Sequence, residues 1–268
     1  IGTLVPANMS SAIANALAVL EAQKGDLNAY VADSLEMKEA DLPRYFSAEQ
    51  VDALALAIAQ LEKGAGFIIG DQTGIGKGRV NAAIIRYAIV KGLTPIFVTE
   101  KPNLYGDMYR DLTDTGISDY LGREISILMT NSSQNIPIGE EGSGKTLKSS
   151  GTDPHNRLLL KIAGEGDLGS DFDVVFTTYS QLQTVNKELT ARHKLLDSLI
   201  SNAILILDES HNAGGTEQKG FGGAELKNQP MNRATYVRQL VGKSRGVFYS
   251  SATYAKRPDV MDLYSKTD

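Results

Sequence analysis

The chain has 268 residues, 42% of them hydrophobic, with a formal net charge of −5 and no cysteine. That is enough apolar material for a substantial core in one large domain or two small ones. It excludes disulfides and thiolate metal sites, and the acidic balance argues against a broad nonspecific coat on nucleic acid, leaving room for a local basic track. No apolar run approaches the roughly 20 residues that span a bilayer, and the opening Ile1-Gly2-Thr3 carries no signal segment. No membrane partner is expected, zero cysteines fit a reducing cytosol, and the missing initiator Met points to a fragment or processed chain.

In chain order, Ser11 to Lys24 is an Ala/Leu-rich helix stopped by Gly25, and Asp26 caps a second short helix through Met37. Ser47-Ala48-Glu49-Gln50 opens an amphipathic helix that runs to about Lys63. From there short apolar runs alternate with helical patterns. The runs are Gly66–Gly70, Thr94–Thr99, Glu124–Met129, Asp173–Thr177, Ala203–Leu207 and Gly246–Ser250. Alternation of this kind predicts an α/β fold with a doubly wound, mostly parallel sheet. Asn131 to Asp171, rich in Gly, Ser and Asn, reads as a long surface insertion interrupted only by Leu158–Ile162, and Asn212 to Gly223 as a second Gly-rich loop.

Two strings compete as phosphate loops. Residues 139–146, GEEGSGKT, match the P-loop pattern letter for letter; residues 71–78, DQTGIGKG, lack its first Gly and its closing Ser/Thr. The motif works only between a buried strand and a helix N-terminus, where inward N–H groups and the helix dipole meet an anion. DQTGIGKG has that context, with the apolar Gly66–Gly70 ahead of it and a helical run from Val80 to Val90 behind it. GEEGSGKT has no strand feeding it directly, carries two carboxylates, and is followed by Gly151 and Pro154, past which no helix is expected to run. It reads as a solvated loop matching by chance.

At the carboxyl end of the Ala203–Leu207 run stand Asp208 and Glu209, a pair in which one acid can hold Mg²⁺ through its waters while the other polarises an attacking water. Alone, the pair reads equally as a solvated strand end. Ser250-Ser251-Ala252-Thr253 closes the last run, either bonding the acids or capping the next segment.

The order DQTGIGKG, then TTYSQL at Thr177–Leu182, then Asp208-Glu209-Ser210-His211, then Ser251-Ala252-Thr253 resembles the first RecA-like lobe of superfamily 2 helicases and translocases. The loop's Gly-Lys-Gly-Arg ending resembles the strawberry notch family in particular, in its bacterial or phage form, over Tyr45 to Thr253. The resemblance implies a RecA-like P-loop NTPase lobe over residues 45–268, with the insertion at about 131–171, preceded by a helical extension over 1–44. It implies ATP and Mg²⁺ as cofactors, a nucleic acid as partner with DNA favoured over RNA, and a cytoplasmic setting, or a nuclear one in a eukaryote. The nucleotide would lie on Thr73, Gly74, Ile75, Gly76, Lys77, Gly78 and Arg79, with Lys77 on the β/γ-phosphates, Asp208 placing Mg²⁺ and Glu209 activating water. His211 with Ser251, Ala252 and Thr253 would couple nucleotide state to nucleic-acid grip. Gln50 has two readings, adenine recognition or the third residue of a capping box. Arg79 has two as well, a phosphate contact or one to the helix's own surroundings. The resemblance points to Thr99, Lys101, Pro102, Thr178 and Tyr179 as nucleic-acid contacts; each also reads as a cap on the following helix.

Gly78 removes the hydroxyl that normally meets Mg²⁺, so water or Asp208 is expected to fill that coordination position and Gly78→Thr to strengthen metal binding. Superfamily 2 motors close ATP between two such lobes, the second donating an arginine. Fifteen residues after Thr253 form no second sheet, so the chain reads as lobe one of a longer motor. The alternative is a nucleotide-responsive module in a larger assembly without motor activity.

Overall fold

The computed structural model describes residues 7–70, 76–140, 142–184, 189–213, 232–251 and 258–267. In chain order the elements begin with α1 (Ala7–Lys24), α2 (Leu27–Ser34), α3 (Leu42–Tyr45), α4 (Ala48–Glu62), β1 (Gly66–Ile69), α5 (Lys77–Val90), β2 (Thr94–Thr99), α6 (Leu104–Asp114) and α7 (Ile117–Leu121). They continue with β3 (Ile127–Met129), β4 (Asn135–Pro137), β5 (Thr146–Lys148), α8 (Thr152–Glu165), β6 (Val174–Thr178), α9 (Ala191–Leu199), β7 (Ala203–Asp208), α10 (Arg233–Lys243) and β8 (Gly246–Ser250).

Six of the strands form one parallel sheet in the order β1-β8-β7-β2-β6-β3. Each is apolar on both faces, which a parallel sheet covered by helices on both sides requires. The period-two alternation sorts the side chains. Phe97, Ile204, Ile206 and Phe248 enter one core with α2, α4, α5 and α6, while Ile96, Val98, Leu205, Leu207 and Tyr249 enter another with α8, α9 and α10. Because all six strands point the same way, their carboxyl ends share one edge. The register sets Ile69 beside Ser250, Ser250 beside Asp208, and Thr99 beside Thr178.

The helices before α4 share its core through Leu20, Val31, Leu35 and Leu42. Arg86 of α5 fastens them. Its buried guanidinium donates to the carbonyls of Leu35 at 2.6 Å, Glu36 at 3.0 Å and Gly116 at 3.3 Å. Arg86→Met would strand all three acceptors, at a cost on the order of 3 kcal/mol. The expected fall in melting temperature is roughly 5–10 °C. A thermal scan followed by circular dichroism that shows no change would mean that Arg86 does not fasten them.

Three expectations are corrected in the 131–171 stretch. A strand does feed GEEGSGKT, namely β4, but β5 returns antiparallel to it, with Ile138 N–H donating to the Lys145 carbonyl at 3.0 Å. The glycines of the string serve a hairpin turn: Gly139, Gly142 and Gly144 have φ of 79°, 83° and 70°. Lys145 is exposed and ion-paired with Glu124. After Gly151 a helix does form, because Pro154 falls in the first turn of α8, where no intrahelical N–H is needed. Leu159 and Ile162 of α8 lie in the core and the buried His155 ring bonds the Met129 carbonyl at 2.9 Å, so this part of the stretch packs as core.

Candidate nucleotide site

Thr73, Gly74 and Ile75 lie outside the described residues; the far side of the loop, where α5 starts, is described. Gly76 has φ 75° and its carbonyl accepts from Gln50 Nε2 at 3.2 Å. The left-handed backbone favours glycine, and a Cβ there, 2.5 Å from that nitrogen, would push the Gln50 amide aside. Lys77 is the first residue of α5. Its side chain is 12% exposed, its Nζ has no hydrogen-bond partner among the described residues, and the nearest acid is Glu209 Oε1 at 3.9 Å. A sequestered, unbonded ammonium is costly unless an anion meets it, and here it stands at a helix N-terminus whose free N–H groups and dipole attract the same anion.

Asp208 ends β7 one step after Leu207, which pairs with Val98. Thr99 Oγ1 donates to Asp208 Oδ2 at 3.1 Å and Asn81 Nδ2 to Oδ1 at 3.4 Å, while the Tyr179 hydroxyl donates to the Asp208 carbonyl at 2.7 Å. Burial pushes the Asp208 carboxyl up to about 6, the charge of Glu209 adding to it, and the Thr99 bond, Lys77 and Asn81 offset part of the rise. Glu209 has φ 48°, a left-handed backbone that costs a non-glycine residue about 1–2 kcal/mol. The turn brings its Oε2 to 3.3 Å from His211 Nδ1, which in turn lies 3.1 Å from Ser251 Oγ at the end of β8. A polar chain thus links Lys77, Glu209, His211 and Ser251; Ala252 and Thr253 lie outside the described residues.

The structure gives several expected site residues other tasks. Thr99, Thr178 and Tyr179 are buried, with Thr99 and Tyr179 spent on Asp208 and Thr178 bonded to Asn131 and Ser180. None presents its hydroxyl to a strand of nucleic acid; Thr99 and Tyr179 support the acid pair instead. Lys101 is exposed and Pro102 half-buried at the same edge. Gln50 completes its capping box, with Oε1 accepting from Ser47 N–H at 2.9 Å, and its other amide atom is the Gly76 contact. Arg79 donates to the Tyr45 carbonyl at 2.8 Å and borders an open cleft of about 610 Å³ with Arg44, Tyr45, Gln50 and Gly76.

Gly78→Thr would first have to move a neighbouring carboxylate aside. A Cβ at Gly78 would fall 2.0 Å from Asp111 Oδ2, so the added side chain meets a carboxylate before it meets a metal. Asp111 and Asn81 are the residues that sequence reasoning missed. Asn81 had a signal, a polar residue inside the apolar run of α5; Asp111, on the amphipathic α6, had none.

The donors fit a metal-bound polyphosphate: an unbonded ammonium and a helix N-terminus for the anion, two carboxylates for the cation. Among the described residues no three acids or histidines gather into an all-protein metal cage, so Mg²⁺ here would rely on phosphate oxygens and waters as well.

Comparison with known proteins agrees with this construction. Protein strawberry notch of Drosophila melanogaster is 26% identical over 205 residues, covering 74% of this chain and 10% of its own length. Protein strawberry notch homolog 1 of Gallus gallus is 27% identical over 229 residues, covering 80% of this chain and 16% of its own. The chain therefore spans only a small part of the curated relatives it matches, and the resemblance read from its Gly-Lys-Gly-Arg loop is borne out. Among solved structures, the Sulfolobus solfataricus SWI2/SNF2 ATPase core in complex with dsDNA has a TM-score of 0.45 at 17% identity, covering 82% of this chain and 34% of that one. The family described as P-loop containing NTP hydrolase pore-1 matches residues 28–267. A match of that extent, over a P-loop helix and an acid pair at the end of β7, places this chain in the P-loop containing NTP hydrolase pore-1 family.

Proposed function

We propose that this chain is the ATP-binding lobe of a superfamily 2 nucleic-acid-dependent ATPase, one that couples hydrolysis to movement on, or remodelling of, DNA. The observation that carries the reading is the buried Lys77 ammonium at the start of α5, which has no hydrogen-bond partner among the described residues and faces the Asp208–Glu209 pair. In this reading Lys77 and the first N–H groups of α5 hold the β- and γ-phosphates, and the cleft beside Gly76 and Arg79 receives the base. Asp208 holds Mg²⁺, directly or through a water; when bound, the ion neutralises charge on the phosphate oxygens. Glu209 orients the attacking water and accepts its proton, and His211 passes the state of that carboxylate to Ser251. Residues 45–268 form the lobe and 1–44 its helical extension. A second lobe of the parent protein supplies the arginine that stabilises the developing phosphate charge. Lys101 and Pro102 remain as contacts for a phosphate backbone.

The test is ATP turnover by the parent protein with and without DNA or RNA. Glu209→Gln is expected to keep Mg·ATP affinity within about twofold and to lower turnover at least about a hundredfold, because that carboxylate handles only the water. A variant that retained turnover would overturn the assignment of Glu209. Turnover that no nucleic acid stimulates would favour the nucleotide-responsive module over the motor.

A further inference from the structure

Gly78, the second residue of α5, stands where a P-loop helix ordinarily carries a hydroxyl. The volume that hydroxyl would fill is already occupied. An ideal Cβ on Gly78 would lie 2.0 Å from Asp111 Oδ2, 3.0 Å from its Cγ and 3.5 Å from its Oδ1, and these are the three nearest atoms. A serine oxygen sits one bond beyond Cβ, so an oxygen from α6 stands where the loop's own side chain has none. Among the described residues no hydrogen bond reaches this carboxylate; Arg110 and Arg79 attract its charge while Asp107 and Asp114 oppose it. Among the described residues nothing consumes its oxygens, although it is half-buried.

We propose that Asp111 stands in for the P-loop hydroxyl, a carboxylate lent by the neighbouring helix that supplies the metal-facing oxygen Gly78 lacks and holds Mg²⁺ or one of its waters. The inference rests on the nucleotide reading of the Lys77 loop. Its chemistry differs from that of a hydroxyl in one respect. A hydroxyl is neutral, whereas Asp111 adds a negative charge beside the phosphates, so it attracts the metal complex and repels the bare nucleotide. The exchange makes the site more dependent on metal than an ordinary P-loop. A purely structural Asp111, bracing α6 against α5, predicts no such asymmetry.

The experiment is calorimetric titration of this chain with ADP, once in excess Mg²⁺ and once in EDTA, taking the ratio of the two dissociation constants. For Asp111→Asn the ratio is expected to fall at least about tenfold, with binding in Mg²⁺ weakened and binding in EDTA unchanged or tighter. Gly78→Ser/Asp111→Ala returns an oxygen to the loop and should recover the wild-type dissociation constant in Mg²⁺ to within about threefold, whereas Asp111→Ala alone should not. Should Asp111→Asn fail to fold, the double variant set against Asp111→Ala decides by the same criterion. An unchanged ratio in Asp111→Asn, equal losses in both buffers, or no recovery in the double variant would overturn the proposal. A wild-type chain that bound ADP equally with and without Mg²⁺, or not at all, would count instead against the nucleotide reading on which it rests.

Discussion

Lys77→Ala is expected to weaken binding of ADP or ATP to this chain by at least about a hundredfold, while Lys145→Ala leaves it within about twofold. An ammonium that meets phosphate oxygens in a site closed to water is worth roughly 3 kcal/mol, about two decades of affinity. Lys77 is prepared for that meeting, since its Nζ is sequestered at the first residue of α5 with no hydrogen-bond partner among the described residues and Glu209 Oε1 at 3.9 Å. Lys145 sits in a hairpin turn, exposed and paired with Glu124, with no helix N-terminus beside it. The same burial gives the prediction a second readout. Lys77→Met removes an unbonded charge while keeping its apolar stem, so the nucleotide-free chain should melt at a higher temperature as it loses affinity. Calorimetry on the three variants checks the first part and thermal scans the second. Comparable loss of affinity in the Lys77 and Lys145 variants would remove the distinction between the two loops.

The contrast between those lysines shows which part of the site was legible in the sequence. A parallel strand buried on both faces leaves an unbroken apolar run, and β1, β2, β7 and β8 each appear as one, so the loops at their carboxyl ends were found by context where spelling misled. Side-chain direction at those ends was not legible. Thr99 and Asp208 each follow a residue of the α8–α10 core, Val98 and Leu207, so parity turns both toward α5, where Thr99 meets the acid instead of a nucleic acid. Seeing that needs the pairing of Val98 with Leu207, which joins residues more than a hundred apart in the chain. The hairpin of β4 and β5 was hidden because its glycines spell a phosphate loop, and α8 because Gly151 and Pro154 read as breakers, although a first-turn proline breaks nothing. Asp111 left no trace, because a carboxylate on an amphipathic helix looks solvated until the glycine opposite it is seen.

Asp208→Asn is expected to raise the stability of the metal-free chain while removing most of the Mg²⁺ dependence of nucleotide binding. Burial holds the Asp208 carboxyl at about 6 against an ordinary 3.8. The folded state therefore favours the protonated form. Its contribution to stability is fully present below the unfolded value and is lost as pH rises through the folded one, so above about pH 6 the ionised group is a liability. Two units at about 1.4 kcal/mol each put that liability on the order of 3 kcal/mol, or roughly 5–10 °C in a chain of this size. The amide keeps the shape of the carboxyl, the Thr99 hydroxyl can turn to accept from it, and Asn81 offers an oxygen that has no other partner among the described residues. In EDTA, then, the variant should melt well above the parent at pH 8, and the gap should narrow steadily toward pH 5, where the parent carboxyl is already protonated. Melting curves across that range decide the matter. A variant no more stable than the parent at pH 8, or a gap that stays constant down to pH 5, would show that Asp208 is not held under this strain, and the case for a carboxylate kept in place for a metal would lose its energetic support.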